Sequence, residues 1–108
     1  MRTLVKAYCE RLTNGARCRD FGPLLELLDD EIEFVLVDGA RRRGKHHVLA
    51  LLSLLPDDYG VEAEIIGSDG VQVIMDFRSR AASFHSIHRG VQRLKVRNGK
   101  IAQISYRV

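Results

Sequence analysis

The chain has 108 residues, of which 45% are hydrophobic and 29% are charged, a composition typical of one soluble globular domain covering residues 1–108. Seventeen basic and 14 acidic residues give a formal charge of +3. That small excess suits an anionic ligand but does not require a nucleic acid, and it excludes the strongly charged classes of binding protein.

Apolar and charged residues are mixed along the whole chain. The longest apolar run, from Val48 to Leu55, is interrupted by Ser53 and is too short to cross a bilayer. Charges within the N-terminal apolar pattern argue against a signal peptide. Cys9 and Cys18 cannot form a disulfide framework, so we expect free thiols and a cytoplasmic location, without contact with a membrane.

Two helices are predicted in the first quarter of the chain. The first ends at Asn14-Gly15, where glycine readily adopts the left-handed capping conformation. The second begins near Asp20, carries Pro23 in its first turn and ends at Asp29-Asp30. Their apolar stripes consist of Leu4, Val5, Tyr8, Cys9 and Leu12, and of Phe21, Leu24, Leu25 and Leu28.

A strand, a loop and a third helix follow. Residues 31–37, EIEFVLV, predict a strand because they are short, β-branched and aromatic, and Asp38-Gly39 predicts a turn. The segment Arg41–Lys45 is predicted as a basic loop that enters a helix through Gly44. Because VLALLSLL is apolar on nearly every side, we expect this helix to be wedged between other elements.

The second half alternates with a period of two and predicts four antiparallel strands. Residues 78–83, RSRAAS, carry a weak pattern that fits either a loop or a splayed hairpin end. The last two strands, within residues 84–108, are joined at Asn98-Gly99, whose tolerance of positive φ angles makes it a strong hairpin signal. The order α-α-β-α-β-β-β-β predicts an α+β fold in which three helices pack in a curved, mostly antiparallel sheet.

This order resembles the nuclear transport factor 2-like superfamily, which includes SnoaL-like polyketide cyclases and ketosteroid isomerase. The matching segments are LVKAYCERL, LLELLDDEIEF, RRRGKHHVLALL and RLKVRNGKIAQISYRV. The resemblance implies a cone, in which a bent sheet wraps the helices and leaves an apolar pocket at one end. It also implies a homodimer through the outer face of the sheet. It does not imply one chemistry, because the fold serves enzymes and binding proteins alike.

Tyr8 matches the tyrosine with which ketosteroid isomerase donates a hydrogen bond to a developing oxyanion. The alternative, which the usual burial of tyrosine favours, is a core residue whose hydroxyl reaches the pocket mouth. The general base of that family falls on Val35, with Asp38 three residues further on, and its second acid falls near Gly90. The sequence therefore departs from the isomerase at two of three positions.

His88 shares strand parity with the apolar residues of the last hairpin, which would point it into the cone as an acid or base. Asp76 or Asp38 could orient it. The alternative is a histidine bonded only to backbone or water. His85 has the opposite parity and is expected to be exposed or at the dimer face, unless a bulge at Gly90 exchanges the two.

Metal and phosphate sites receive little support. His46 and His47 are neighbours on a helix and diverge by about 100°, so they cannot readily chelate one metal, and we expect neither a metal nor another cofactor. The basic segment Arg41–Lys45 precedes a helix N-terminus and could hold a phosphate or carboxylate, although such charge runs usually face water. Nucleic acid binding is not expected, because the aromatic residues occupy apolar positions.

Two hypotheses about function remain, and the sequence leaves open whether the protein is an enzyme. The first is a cone that binds a small apolar or carbonyl-containing molecule and carries out cofactor-free acid/base chemistry of the isomerase, cyclase or hydrolase type. Its predicted catalytic residues are Tyr8, His88 and Asp38, and its predicted pocket-lining residues are Val35, Met75, Asp76, Phe77 and Gln92. The second is a non-catalytic dimerisation or protein-binding module, which apolar Ile74 and Ile87 on the outer sheet face favour.

Overall fold

Six strands form one mixed, curved sheet in the computed structural model, which describes residues 2–83 and 87–107. The elements are α1 (Arg2–Cys18), α2 (Gly22–Leu25), β1 (Leu28–Val35), β2 (Arg41–Arg43), α3 (Lys45–Leu52), β3 (Gly60–Ser68), β4 (Gln72–Arg80), β5 (His88–Arg97) and β6 (Lys100–Arg107). The strand order is β2-β1-β6-β5-β4-β3, with β1 and β6 parallel and the other pairs antiparallel. The predicted α+β class is confirmed, and His85 lies outside the described residues.

One face of the sheet carries the core. On β4 the buried residues Val73, Met75, Phe77 and Ser79 alternate with partly exposed ones, as a strand with one buried face requires. We call the face that carries these four residues the inner face and the opposite one the outer face. The most deeply buried large side chains are Leu24, Leu28, Ile32, Val73, Met75, Leu94 and Ile101. No helix in the described ranges has the length and apolar character that crossing a membrane would need.

The last hairpin forms as the sequence predicts. Asn98 and Gly99 both have positive φ angles, 54° and 77°, and Arg97 pairs with Lys100 across the turn. These values match a primed two-residue turn, whose twist suits the flanking strands. Strand β5 lies between β4 and β6, so this hairpin supplies the middle of the sheet.

Helix α1 continues one turn past its predicted end. Gly15 is buried in the helix, and a Cβ atom there would lie 2.6 Å from the Phe21 ring, so glycine serves close packing at this point. The left-handed residue is instead Arg19, with φ 56°, and the backbone N–H of Asp20 donates to the carbonyl of Gly15 at 3.0 Å. That bond is typical of a helix C-terminus. The guanidinium of Arg19 also donates to the carbonyl of Leu55 at 2.6 Å.

Three further predictions need correction. Helix α2 has only four residues, and β1 begins at Leu28 because Leu28 pairs with Ile101 of β6 in the core. The basic segment is in part a strand: Arg41–Arg43 pairs with β1 and forms one edge of the sheet. Helix α3 is not wedged, because among its eight residues only Val48 is buried and Leu49 is 42% exposed.

Candidate functional site

Tyr8 and Gln92 form a buried hydrogen bond between helix α1 and the inner face of the sheet. The Tyr8 hydroxyl donates to the Gln92 Oε1 atom at 3.1 Å, and the two residues are only 4% and 5% exposed. Helical spacing places Tyr8 on the buried stripe of α1, while strand alternation places Gln92 on the inner face of β5. Because buried polar groups are costly when unpaired, this bond satisfies the phenol and one end of the amide together.

A second buried polar pair lies nearby. Tyr59, in the connection between α3 and β3, is hydrogen-bonded to Ser79 at the end of β4, and each is 7% exposed. The phenol of Tyr59 is close enough to Tyr8 to act on its ionisation. We call Tyr8, Tyr59, Ser79 and Gln92 the inner polar cluster. It consists entirely of uncharged groups, so it suits a neutral ligand better than an ion.

Ionisation of the cluster is strongly disfavoured. Burial raises the pKa of Tyr8 well above its ordinary value, the nearby Tyr59 adds to this effect, and the hydrogen bond to Gln92 opposes it. Burial likewise raises the pKa of Tyr59 to about 12 and that of the Cys9 thiol to about 11. At neutral pH the phenols are therefore hydrogen-bond donors rather than bases, and Cys9 is a thiol rather than a nucleophilic thiolate.

Strand register brings several of the predicted pocket residues beside the inner polar cluster. Gln92 pairs with Met75 on one side and with Tyr106 on the other. Met75 is fully buried, and Phe77 is 4% exposed and makes an edge-to-face contact with Tyr106 at a centroid distance of 6.3 Å. Val35, also predicted to line the pocket, lies on the outer face instead, because it pairs with Ser105 and alternates with core-packed Phe34, which pairs with buried Ile104. Met75, Phe77 and Tyr106 form an apolar surround for the hydroxyl and amide groups.

Three more of the predicted site residues lie away from the inner polar cluster. Asp76 alternates with Met75 and Phe77 and is half-buried on the outer face, so it does not line the cone. Asp38 is exposed, and its Oδ1 atom accepts the N–H of Ala40 at 2.9 Å, which closes the turn between β1 and β2. His88 is exposed at the first residue of β5, although its parity matches that of Gln92.

The position of His88 follows from an unbroken register. Residues 88–95 of β5 pair with β4 without a bulge, so no bulge at Gly90 reverses the parity of His88. His88 lies opposite Ser79, at the end of the sheet where β4 finishes and β5 begins. We call this the Ser79 end of the sheet. His88 thus lies at the boundary of the inner polar cluster and not within it.

Sequence reasoning missed three residues at this site: Tyr59, Ser79 and Tyr106. Ser79 shares the parity of Phe77 and would have been found if the strand had been extended into the weak segment RSRAAS. Tyr106 shares the parity of buried Ile104 on β6. Tyr59 follows Pro56 in a connection without any periodic pattern, so no sequence signal marked it.

Two hollows lie on other parts of the molecule. One, of about 670 Å³, crosses the outer face and has Glu33, Arg43, Lys95 and Gln103 among its walls. The other, of about 520 Å³, lies between α1 and β3. Tyr8 and Gln92 line neither of them, so neither hollow is the predicted pocket around these two residues.

The arginines of the basic segment are held by Glu33. The carboxylate of Glu33 accepts hydrogen bonds from Gln103 at 2.7 Å and Arg41 at 2.9 Å, and Arg43 lies 3.6 Å away. Gln103 and then the arginines hold the pKa of Glu33 below its usual value. Lys45 forms an ion pair with Asp30. In the described part of the chain, no three His, Cys, Asp or Glu side chains converge as metal ligands would.

Solved structures with the same architecture are numerous. The chain superposes on an NTF2-like protein from Anabaena variabilis ATCC 29413 with a TM-score of 0.78 and 16% identity, covering 96% of this chain and 85% of that one. A candidate polyketide cyclase from Xanthomonas campestris pv. campestris gives 0.75 and 19%, over 99% and 88%. An LEH-like epoxide hydrolase from M. tuberculosis gives 0.68 and 21%, over 97% and 82%.

The fold is that of the nuclear transport factor 2-like superfamily. By sequence alone, no family model and no curated protein matches the chain. At identities near 20%, structural likeness establishes the nuclear transport factor 2-like fold and leaves the activity to be argued from the site.

Proposed function

We propose that the inner polar cluster binds a small, uncharged molecule that has an apolar body and a carbonyl or similar acceptor group. The observation that carries this proposal is the 3.1 Å bond between Tyr8 and Gln92 at a place where both residues are about 95% buried. A pair of apolar side chains would fill this space at little or no cost in stability. A polar pair is an advantage over an apolar pair where the hydroxyl and the amide can also form hydrogen bonds with a ligand.

Ligand binding would exchange one acceptor for another. A ligand carbonyl would take the place of the Gln92 Oε1 atom in front of the Tyr8 hydroxyl, and the released amide of Gln92 would then bond to the ligand or to a neighbour. Met75 and Phe77 supply the apolar contact. The ligand would enter from the Ser79 end of the sheet, where exposed His88 faces the solvent.

A catalytic version of this proposal assigns roles to the same groups. Tyr8, protonated at neutral pH, would stabilise negative charge that develops on a carbonyl oxygen. The uncharged inner polar cluster has no base of its own, so His88 at its boundary would exchange the proton, with Asp38 as a more distant candidate. The likeness to an LEH-like epoxide hydrolase and a candidate polyketide cyclase supports chemistry on a small organic molecule.

Acetophenone and ethylbenzene, which have similar shapes and differ by a carbonyl, test the binding proposal. We expect acetophenone to bind about 2- to 10-fold more tightly, since one hydrogen bond contributes about 0.5–1.5 kcal/mol. Nuclear magnetic resonance titration would measure both affinities and locate the shifts at the Gln92 side-chain amide and the Phe77 ring. Tyr8→Phe should abolish the preference for the ketone while leaving ethylbenzene affinity unchanged.

Tyr106→Phe is the matched control, because it removes a phenol but keeps the ring that contacts Phe77. This variant should retain the preference for acetophenone. Equal affinity of the native protein for the two compounds, or an absence of shifts at Gln92 and Phe77 with both, would refute the proposal.

We also propose that the outer face of the sheet is a homodimer interface. Ile74 lies half-buried on this face, and Ile87, immediately before β5, is 52% exposed. Apolar residues at such positions are typical of a covered surface. Sedimentation velocity at 1–100 µM, a range chosen around about micromolar affinity, should show a dimer that Ile74→Asp converts to monomer. A monomer at every concentration would show that this face is not a homodimer interface.

A further inference from the structure

Strand β3 is one edge of the sheet, and in the described part of the chain no strand pairs with the side of β3 that faces away from β4. The backbone N–H of Val61 donates at 3.3 Å to the Thr13 hydroxyl of α1, so this group points away from β4. Antiparallel pairing alternates, with successive residues bonding first to one side and then to the other. The N–H and C=O groups of Ala63 and Ile65 therefore also point to the free edge.

Within residues 2–83 and 87–107, the N–H and C=O groups of Ala63 and Ile65 make no hydrogen bond. The register with β4 is continuous from Gly60 to Ile65 and is then broken by a bulge before Gly67. The open edge is therefore short, and an added strand could pair with it over about three to five residues.

A hollow of about 520 Å³ runs along this edge. One of its walls is β3 from Glu62 to Ile65, and the other is the first half of α1. Apolar contact comes from Val5, Cys9, Ala63 and Ile65, and the exposed charged residues on the α1 side are Arg2, Lys6 and Glu10. An extended segment lying in this hollow would meet open hydrogen-bonding groups at its side and apolar side chains beneath it. We call this hollow with its open strand the β3 edge groove.

The charges of β3 indicate the composition of the occupant. Glu62 and Glu64 are exposed on the outer side, and Glu62 is already paired with Arg78 and Arg80 at 3.6 and 3.5 Å. Glu64 has no ion-pair partner in the described ranges. A basic side chain on the added strand would lie beside Glu64, and cross-strand pairs of opposite charge are favourable.

The same charges disfavour a second copy of this chain. Antiparallel pairing of two β3 strands about a two-fold axis would place Glu62 opposite Glu64, or Glu64 opposite its own counterpart. Like charges directly opposite each other destabilise a sheet. The edge therefore suits a different segment, in which apolar residues facing inward alternate with basic residues facing outward.

We propose that the β3 edge groove binds an extended peptide of alternating apolar and basic residues, which adds a seventh strand beside Ala63 and Ile65. Backbone hydrogen bonds would provide affinity, and side chains on alternate positions would provide selectivity. Tyr8 and Gln92 take no part, so this interaction is independent of ligand binding in the inner polar cluster.

The probe is the pentapeptide acetyl-Val-Lys-Val-Lys-Val-amide carrying a fluorescent label. Two of its valines would pair with Ala63 and Ile65, and the lysine between them would lie opposite Glu64. We expect amide hydrogen exchange at Ala63 and Ile65 to slow by about tenfold or more at saturation. Exchange at Glu62 and Glu64, whose amides already bond to β4, should not change.

Two methylated peptides separate backbone pairing from other binding. N-methylation of the valines removes the donors that face β3 and should abolish binding. N-methylation of the lysines modifies amides that face solvent and should preserve it. Glu64→Lys should weaken the parent peptide by about 2- to 5-fold, as expected for an exposed charge pair.

Equal binding of the two methylated peptides would overturn the proposal, as would unchanged exchange at Ala63 and Ile65 with the parent peptide. Protection of these two amides that rises with protein concentration alone would assign the edge to a second copy of the chain, and would also overturn it.

Discussion

The free energy of unfolding is expected to fall steeply above pH 10, because two buried phenols resist ionisation. Tyr8 and Tyr59 are 4% and 7% exposed. Burial raises the pKa of Tyr59 to about 12 and moves the pKa of Tyr8 upward as well. Each phenol should remove about 1.4 kcal/mol of stability per pH unit once the unfolded chain ionises and the folded one does not.

The sign follows from the protons bound in each state. Below pH 10 both states keep the phenolic protons, so stability is unaffected by them. Between pH 10 and the raised pKa values the unfolded chain has lost protons that the folded chain retains, which favours unfolding as pH increases. By pH 12 the two phenols together should have removed about 5 kcal/mol, a large part of the 5–15 kcal/mol typical of a small domain.

Urea unfolding at a series of pH values from 8 to 12, followed by circular dichroism, would measure this loss; these values bracket the ordinary phenol pKa of about 10. Tyr59→Phe should reduce the slope above pH 10 by about 1.4 kcal/mol per pH unit. Absorbance at 295 nm measures the formation of phenolate. The contribution of Tyr8 and Tyr59 to this absorbance should rise together with unfolding and not before it. Retention of full stability at pH 12 would show that neither phenol is enclosed as the structure describes.

Helical spacing and strand alternation were sufficient to predict which side chains of the site lie on a buried face. Helical spacing placed Tyr8 on the buried stripe of α1, and alternation placed Met75, Phe77 and Gln92 on one face. The Asn98-Gly99 turn sets only the pairs next to it, and a bulge beyond Val96 and Ile101 shifts the register by one residue and brings Gln92 opposite Tyr106. The sequence did not predict that bulge. For the buried side chains themselves, the period of each element decides which face they occupy.

Features that depend on distant partners escaped sequence reasoning. Three consecutive arginines have no strand pattern, yet Arg41–Arg43 forms a strand. It pairs with the edge of β1, and Glu33 of β1 forms ion pairs with Arg41 and Arg43. Asp76 was placed in the cone for its chemistry although its parity already put it on the outer face. Tyr59 reaches the core through a connection whose path is determined by the packing of its neighbours.

Mutation of the Tyr8–Gln92 pair is expected to show strong energetic coupling. Gln92→Leu leaves the Tyr8 hydroxyl without its acceptor, and Tyr8→Phe leaves the Gln92 Oε1 atom without its donor. An unsatisfied buried polar group costs about 1–3 kcal/mol, so each single variant should be destabilised by that amount. The double variant removes both polar groups together and should lose clearly less than the sum of the two losses.

Urea unfolding of the native protein, the two single variants and the double variant at pH 7 completes the cycle. Leu94→Met, a nearby apolar exchange without a polar partner, should cost less than about 1.5 kcal/mol and controls for general sensitivity of the core. Strict additivity of the two single losses would mean that the hydroxyl and the amide do not depend on each other in the folded protein.

The same double variant, Tyr8→Phe with Gln92→Leu, distinguishes a structural role from a functional one. If the two apolar replacements pack as well as the native pair, stability cannot be the reason for keeping two polar groups at this depth. The variant should then fold normally but bind acetophenone no better than ethylbenzene, because neither replacement side chain can recognise a carbonyl. A double variant that folds poorly and still prefers the ketone would place both the stability and the recognition in other residues.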